Sequence, residues 1–452
     1  MNINILKKWN EQYLRLSSFN RKARRTLKKR WKKSLLVIAL ALALGVSDAS
    51  AATINVGETS TGIGAVTIDD TDNICSITEA LQNANDTSGI PPNDDCETGD
   101  SATGMDGADI IELPSNSTFT FDGVNPPTFG GIGQNALPAI TSNITIEGNG
   151  SILERSLASG TPNFRFFTVQ STFNLNINKL ALRNGRSGRG GCIFNNVGNL
   201  SVNNSEISGC NATNSGGAIY NYAEGNVTAS MNLVNSTISG NDALNRGGGI
   251  YGDVEVGGNA NIVFNIINST ITNNIAFEGP GVFLRTYQYS NPSELNSRNS
   301  IISGNLSTIG NNADCFTIAQ VIITDLGNNL SDDTSCEFTE NSSYQNFDNN
   351  CLGPLTNNGG TTLTNALLDP NDPNTPSTCN QNPAIDGGDN AVCAGPEVNN
   401  LDQRGVMRPF PVGGVCDIGS FELQPTGSGM CNMAEIPGDG VDNNGDGDGT
   451  TQ

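Results

Sequence analysis

Short runs in which apolar and polar residues alternate recur through the middle of the chain. Residues 174–182 read NLNINKLAL and residues 261–271 read NIVFNIINSTI, with apolar side chains at every second position. Successive side chains of a β-strand point to opposite faces, so this alternation predicts strands with one buried face. Gly and Asn, which supply the tight or left-handed backbone of turns, dominate the segments between the runs.

Two phrases recur in phase with these strands. The first is NSEISGC, NSTISGN, NSTITNN or NSIISGN, and its copies begin at Asn204, Asn235, Asn268 and Asn299. The second is GGCIFN, GGAIYN, GGGIYG or GPGVFL, and its copies begin at Gly190, Gly216, Gly247 and Gly279. Copies of the first phrase begin 31, 33 and 31 residues apart. A fixed period of about 20–50 residues is typical of stacked repeats, whereas propeller blades need about 40–50. We therefore predict a parallel β-helix with one repeat per turn, and we expect the Asn of each NS to stack on its equivalents.

The first 51 residues differ from the rest of the chain. They hold 12 of the 23 Lys and Arg residues, then the apolar run SLLVIALALALGV at 34–46 and the small residues ASA at 49–51. A basic segment, an apolar run of about a dozen residues and a small-x-small site predict a secretory signal peptide. A transmembrane anchor needs about 20 apolar residues. We predict export to the medium or the cell surface, with no transmembrane segment in the mature chain.

After residue 51 the chain carries 11 basic and 43 acidic side chains. This excess of negative charge argues against nucleic acid and anionic lipid as partners. The absence of His excludes Ser-His-Asp and Cys-His catalysis and any histidine metal site.

All 11 cysteines lie after the signal, where an oxidising compartment favours disulfides. Their spacing suggests three local pairs, Cys75 with Cys96, Cys192 with Cys210, and Cys315 with Cys336. The sequence leaves the pairing of four others open, namely Cys351, Cys379, Cys393 and Cys416. Cys431, in the tail, is then the odd cysteine.

The N-terminal part of the chain resembles exported bacterial β-helix proteins. TINVG (53–57), CSITEALQNAN (75–85) and ADIIEL (108–113) resemble the module called CSLREA, in which that phrase begins a short helix. ITIEGNGSIL (144–153) and FRFFTVQSTFNLNINKLALRNG (164–185) resemble the first turns of right-handed β-helices of the pectin-lyase-like superfamily.

The repeats and the C-terminal part carry further resemblances. The GG and NS phrases are similar to those of chlamydial polymorphic outer-membrane proteins. NPAIDGGDNAVC (382–393) and DQRGVMRPFPVGGVCDIGSFEL (402–423) resemble the module called choice-of-anchor Q, which closes such helices. Within it, Asp402, Arg404 and Arg408 suggest an ion pair that ties the last turn to the cap, with a binding role as the alternative.

These resemblances imply an all-β fold, a right-handed single-stranded parallel β-helix with a short N-terminal helical cap and a loop-rich C-terminal cap. We divide the chain into a signal peptide (1–51), a CSLREA-like cap (52–140), the β-helix repeats (141–345), a choice-of-anchor Q-like closing module (346–423) and an acidic Asp/Gly-rich tail (424–452).

The pectin-lyase-like resemblance implies where catalytic groups would lie. Hydrolases of this fold use paired carboxylates, and lyases use a basic residue with acid-bound Ca²⁺, on one face of consecutive turns. The charged residues of the repeats include Arg183, Arg186, Arg285 and the four catalytic candidates Arg189, Asp242, Arg246 and Asp253. The run RNGRSGRGG, which holds three of these arginines, is most simply a solvated corner. Asp332 and Asp333 fall in a Ser/Asn-rich loop beyond the repeats.

The tail contains one motif with oxygen ligands at alternate positions. Asp442, Asn444, Asp446 and Asp448 surround a glycine as in the first half of a Ca²⁺ loop. Its twelfth position would be residue 453, so weak Ca²⁺ binding and a simple acidic tail both stay open. We predict no other cofactor.

Two function classes follow from this sequence. The first is a non-enzymatic adhesion or glycan-binding scaffold, which the missing catalytic constellation favours. The alternative is a polysaccharide lyase or glycoside hydrolase, which rests on shared fold alone. Acids and an arginine that converge in one groove would favour the enzyme. A flank lined by Asn, Ser and Thr, without such a cluster of charged residues, would favour the scaffold.

Overall fold

The structure is a computed structural model. It describes residues 52–57, 74–86, 93, 95–97, 109–129, 133–255, 258–287, 290–310 and 313–424. The predicted signal peptide, Cys431 and the predicted Ca²⁺ motif of the tail lie outside the described residues.

The chain winds into a parallel β-solenoid of about seven turns, of the right-handed type, which confirms the predicted fold. Each complete turn adds one strand to each of four sheets, named A, B, C and D in the order in which the chain visits them. Alternate side chains of each strand point into the core or away from it.

The strands of the four sheets are stacked as follows. Sheet A contains β1 (Thr53–Asn55), β2 (Asp109–Glu112), β6 (Ile144–Glu147), β9 (Asn174–Asn178), β13 (Asn199–Asn203), β17 (Thr228–Val234), β21 (Asn261–Ile267), β25 (Ser293–Arg298) and β29 (Val321–Asp325). Sheet B contains β3 (Thr118–Phe121), β7 (Ile152–Arg155), β10 (Ala181–Arg183), β14 (Glu206–Ser208), β18 (Thr237–Ser239), β22 (Thr270–Thr272), β26 (Ile301–Ile302), β30 (Leu330–Ser331) and β31 (Tyr344–Gln345). Sheet C contains β11 (Arg186–Arg189), β15 (Asn211–Ser215), β19 (Asp242–Ala243), β23 (Ile275–Ala276) and β27 (Leu306–Ser307). Sheet D contains β8 (Phe167–Gln170), β12 (Ile193–Asn196), β16 (Ile219–Ala223), β20 (Ile250–Val254), β24 (Val282–Arg285) and β28 (Cys315–Ile318).

The remaining elements are short. Two antiparallel pairs join β4 (Asn125–Phe129) to β5 (Gly133–Asn135) and β32 (Leu352–Thr356) to β33 (Thr364–Leu367). The helices of the described residues are α1 (Ile77–Asn85), α2 (Asn390–Cys393) and one 3₁₀ turn (Asn349–Cys351). None of the described helices is both long and apolar enough to cross a bilayer.

Equivalent apolar residues stack on one another through the core. In sheet A, Leu175, Leu200, Met231, Phe264 and Leu295 lie opposite each other on successive strands, and all five are fully buried. Burial of one such side chain is worth roughly 1.5–3 kcal/mol. No single turn could bury these residues, so the stack of turns supplies the core.

Two polar ladders follow the corners of the solenoid. Between sheets A and B, the backbone N–H of Ser205 donates to Ser236 Oγ at 3.1 Å. Ser236 donates in the same way to Ser269, and Ser269 to Ser300, each at 3.2 Å. The serine of NS therefore carries the continuous ladder that we expected from its asparagine.

The asparagines of NS have a different role. Asn235 donates to Asn204 at 3.2 Å as expected, but Asn268 and Asn299 donate to the C-terminal segment, at Cys393 Sγ. All four asparagines have positive φ, between 46° and 49°, a conformation that Asn tolerates better than most residues. The four asparagines occupy equivalent positions on successive turns, as expected, but an amide bond between turns joins only the first pair of these four, because the later amides bind the C-terminal segment.

The second polar ladder is formed by asparagines and is buried between sheets B and C. Asn241 Nδ2 donates to Asn274 Oδ1 and Asn274 Nδ2 to Asn305 Oδ1, both at 2.9 Å. Asn305 Nδ2 then donates to Asp314 Oδ1 at 2.8 Å. The four side chains are buried, and the ladder ends on a carboxylate.

Five disulfides link cysteines that are close in sequence. The bonds Cys75–Cys96, Cys192–Cys210 and Cys315–Cys336 are those suggested by the spacing, and the structure adds Cys351–Cys379 and Cys393–Cys416. Such a set is typical of proteins that fold in an oxidising compartment.

The C-terminal segment, residues 346–424, lies along the solenoid as well as at its last turns. Asn235 Nδ2 donates to Leu401 O at 2.7 Å, and Thr237 Oγ1 donates to Gln403 Oε1 at 2.6 Å. The backbone N–H of Gly419 donates to Asn299 O at 2.8 Å. These contacts span several turns at the corner between sheets A and B.

The predicted tie through Asp402 and Arg404 is wrong in its partners. The two side chains form an ion pair at 2.7 Å, and Arg404 also donates to Asn358 O and lies 3.6 Å from the Phe421 ring centroid. All of these groups belong to the C-terminal segment, so the pair stabilises that segment internally.

Candidate functional site

A groove of about 400 Å³ opens on the outer surface where sheet C meets sheet D. Four consecutive turns contribute to it. Its charged and phenolic lining residues are Arg189, Tyr220, Arg246, Tyr251, Asp253, Glu278 and Arg285.

The GG phrase builds the wall of this groove. Gly247 has a φ of +61°, which L-residues rarely adopt, and a Cβ on Gly217 would lie 2.1 Å from the carbonyl oxygen of Gly248 in the next turn. The chain can therefore turn sharply and approach its neighbour only with glycine at these positions. The residues directly before each phrase then lie opposite one another from turn to turn, namely Arg189, Ser215, Arg246 and Glu278.

Two residues of the groove lining, Tyr220 and Tyr251, belong to a stack of aromatic rings on the outer face of sheet D. Ring centroids follow one another at 5.4, 4.9, 5.2 and 5.2 Å along Phe194, Tyr220, Tyr251, Phe283 and Phe316. Arginines cover this stack, with Arg189 5.4 Å from the Tyr220 centroid and Arg246 5.2 Å from that of Phe283. The groove thus combines aromatic faces with cations that lie over them.

Two carboxylates in the groove are held by these arginines and by a tyrosine. Asp253 Oδ1 accepts from Arg285 Nη2 at 2.5 Å, and Asp253 Oδ2 accepts from the Tyr220 hydroxyl at 2.6 Å. Glu278 Oε2 accepts from Arg246 Nε at 2.8 Å. Each acid is therefore fixed and compensated within the groove.

The electrostatics of the groove keep its phenols neutral and its arginines charged. Burial, followed by the charge of Asp253, raises the pKa of Tyr220 above its ordinary value and that of Tyr251 to about 12. Burial alone would lower the pKa of Arg246 and of Arg285, but their acidic partners raise both above the ordinary value. At neutral pH the tyrosines are hydrogen-bond donors and the arginines are cations.

Arg189 differs from the other two arginines of the groove. No carboxylate lies within ion-pair distance of it in the part of the chain that the structure describes. Burial and then the nearby charge of Arg189 lower the pKa of Arg165 to about 9. Among the described residues, the positive charge of Arg189 is therefore not compensated by a carboxylate.

Three of the four catalytic candidates meet in this groove. Arg189, Arg246 and Asp253 line it, whereas Asp242 is exposed on β19 and accepts from Asn211 at 2.9 Å. Asp242 points from the surface of sheet C and does not line the groove.

The expectation of a solvated corner at RNGRSGRGG is wrong for two of its three arginines. Arg186 is exposed, but Arg183 forms an ion pair at 2.6 Å with the buried Glu206, and Arg189 is half-buried in the groove. Alternation on β10 and β11 directs these side chains to different surroundings.

Sequence reasoning missed Tyr220, Tyr251 and Glu278. A signal for the tyrosines was present, because the residue after the Ile or Val of each GG phrase is aromatic in every copy. Glu278 lies in the same position before its glycine as Arg246 does.

No family model, no curated protein and no solved structure matches this chain.

Proposed function

We propose that the protein is an exported β-solenoid whose groove binds an acidic polysaccharide. The observation that carries this proposal is the uncompensated cation of Arg189 above the ring of Tyr220. After residue 51 acids outnumber bases about fourfold, yet three of the 11 basic residues line this one groove. Such a concentration of positive charge favours an anionic ligand in a chain that otherwise repels anions.

The chemistry of the lining suits a uronate-containing chain. A sugar carboxylate accepts charge-assisted hydrogen bonds from the guanidinium of Arg189, which are about twice as strong as neutral ones. Asn214 and Asn245, on the same wall, offer amides to sugar hydroxyls. Phe277, 44% exposed at the rim, offers an apolar face for a sugar ring. A polymer can extend along the groove because the equivalent positions repeat from turn to turn.

Export agrees with this ligand class. Five disulfides are typical of an oxidising compartment, and the sequence predicts a signal peptide. The resemblance to the pectin-lyase-like superfamily, with its CSLREA-like and choice-of-anchor Q-like modules, also suits a surface or secreted scaffold that meets polysaccharides.

A binding role fits the two acids better than catalysis does. Both oxygens of Asp253 already accept hydrogen bonds, from Arg285 and Tyr220, and Glu278 is bonded to Arg246. A general acid or base needs an oxygen that can reach the substrate. The two ion pairs instead hold the arginines and the phenol in fixed positions.

The test is binding of the secreted chain to polygalacturonate, with a neutral galactan as the matched control. We expect saturable binding to the acidic polymer that weakens as salt is raised, and none to the neutral one. Equal affinity for both polymers, or none for either, contradicts the proposal.

A second candidate is a polysaccharide lyase or glycoside hydrolase, favoured by the convergence of Asp253 and Glu278 with arginines in one groove. Absorbance of unsaturated uronate reports a lyase, and release of reducing ends reports either reaction. Turnover that disappears in Asp253→Asn would establish the enzyme. Binding without turnover would support the binding module.

A further inference from the structure

We propose that Asp314, Asp332 and Asp333 bind one Ca²⁺ at the end of the buried asparagine ladder. Asp314 directly precedes β28, and Asp332 and Asp333 directly follow β30. This site lies outside the groove, and the proposal does not depend on the function proposed for the groove.

The distances fit a calcium ion. One oxygen from each of the three carboxylates lies within 4.8 Å of the other two. Ca²⁺ holds its oxygen ligands at about 2.3–2.6 Å, so that two ligands of one ion are up to about 5 Å apart.

Two oxygens at this place have no hydrogen-bond donor. Asp314 is fully buried, and its Oδ1 accepts both from the backbone N–H and from Nδ2 of Asn305. Its Oδ2 and Asp332 Oδ1 are both buried, and neither accepts a hydrogen bond unless one of the two carboxyls carries a proton. A buried carboxylate oxygen that lacks a donor or a cation is costly.

The surroundings of Asp314 are acidic. One oxygen of its carboxylate lies within 4.8 Å of an oxygen of Asp332 and of Asp333. Three adjacent carboxylates, of which Asp314 is fully buried, need either protons or a cation. A divalent cation offsets two of the three negative charges and supplies a partner for both unbonded oxygens.

The residue type at position 314 supports the same conclusion. The ladder holds an amide at Asn241, Asn274 and Asn305, and each of them donates to the next member of the ladder. Asp314 accepts the last of these bonds but has no Nδ2 to donate onward. The ladder therefore ends with an oxygen directed toward two further acids.

Neighbouring contacts hold the three acids in position. The Cys315–Cys336 disulfide closes the loop that carries Asp332 and Asp333. Asp333 Oδ2 accepts from the backbone N–H of Asp314 at 3.0 Å, and Asp332 Oδ2 accepts from Asn349 Nδ2 at 2.5 Å. A pre-formed site of this kind loses little freedom when an ion binds.

The experiment measures the melting temperature and the Ca²⁺ stoichiometry of the full secreted chain. Unfolding is followed in EDTA and in about 1 mM Ca²⁺, a concentration in the range that extracellular sites bind, and calorimetric titration counts the ions. The variants are Asp314→Asn and Asp332→Asn. A third variant, Asp442→Asn with Asp446→Asn, removes the acids of the tail as a control.

Ca²⁺ should raise the melting temperature of the parent chain, because a ligand that binds only the folded state stabilises it. Asp314→Asn and Asp332→Asn should each lose that rise and one equivalent of Ca²⁺, whereas the tail variant should keep both the rise and that equivalent. Asp314→Asn should be at least as stable as the parent in EDTA, since its amide can donate to Asp332.

Three results would overturn the proposal. The parent chain could be unaffected by Ca²⁺, in which case shared protons balance the acids. The rise could persist in both Asp314→Asn and Asp332→Asn, or it could disappear only in the tail variant. In each case the ion does not bind at Asp314.

Discussion

Arg189 lies over the ring of Tyr220, with 5.4 Å between its guanidinium carbon and the ring centroid. The hydroxyl of the same ring donates to Asp253 at 2.6 Å. The Tyr220 side chain therefore contacts both Asp253 and Arg189, which do not form an ion pair with each other. Tyr220 keeps the two charges apart and leaves the cation directed into the groove.

Arg189→Gln should weaken binding of polygalacturonate at least about tenfold, because a hydrogen bond to a charged group contributes about 1.5–3 kcal/mol. Arg186→Gln is the matched control, since Arg186 lies on the same strand but is exposed. Calorimetric titration at low salt measures both. Equal losses in the two variants would mean that general charge attraction, and not the groove, holds the polymer.

Asn274→Ala should lower the free energy of unfolding by about 3 kcal/mol, because it leaves buried partners on both sides of the ladder without hydrogen bonds. Asn274 Nδ2 donates to Asn305 Oδ1 at 2.9 Å and to Ile238 O at 3.0 Å. Asn245→Ala is the control, since Asn245 is exposed and its side chain donates to the exposed Asn214. Urea unfolding gives both values. A loss as small as that of the control would show that the internal ladder adds little.

Replacement of Cys192 and Cys210 together by Ala should cost about 3 kcal/mol, the loop-closure term expected for a separation of 18 residues. Both side chains are buried, so no exposed surface changes. The urea midpoint of the double variant, compared with that of the oxidised parent chain, measures the loss. An unchanged midpoint would contradict the expectation.

Stability should fall as the pH rises from about 4 to about 7, through the buried Asp417. Burial and then the charge of Glu422 raise the pKa of Asp417 from its ordinary 3.8 to about 7. The folded state therefore holds a proton that the unfolded state releases in this range, and its stabilisation is lost as the proton leaves. One pKa unit corresponds to about 1.4 kcal/mol.

Thermal unfolding at a series of pH values tests this in the parent chain and in Asp417→Asn. The variant should lose less stability than the parent between pH 4 and 7. Asp242→Asn, which removes an exposed acid, should follow the parent. Parallel curves for all three chains would assign the pH dependence to other groups.

The turn of the solenoid could be predicted from sequence because local rules set it. Alternation gives the strands, the period gives the turn, and Gly247 and Asn235 supply the positive φ that its corners need. The two repeated phrases did not indicate how many sheets each turn contributes to, and the structure has four. Strands of two residues, such as β19, are too short to show any alternation.

The groove and the contacts of the C-terminal segment could not be predicted from the sequence, for different reasons. Arg189 and Arg246 could be selected from sequence as charged residues in the repeats. Their positions over the rings of Tyr220 and Phe283 depend on the register between turns, which the sequence does not show. The bond from Asn235 to Leu401 joins residues 166 positions apart. No periodic pattern encodes such a contact.

The C-terminal segment has a consequence for the length of the molecule. A solenoid can in principle grow by duplication of a whole turn, because every turn offers the next the same edge. Here Leu401 is tied to Asn235 and Gly419 to Asn299, two corners that lie a fixed number of turns apart. One more turn between them would move the corners a further 4.8 Å or so apart, about one strand spacing. With both contacts in place, the C-terminal segment therefore fits only one number of turns between these two corners.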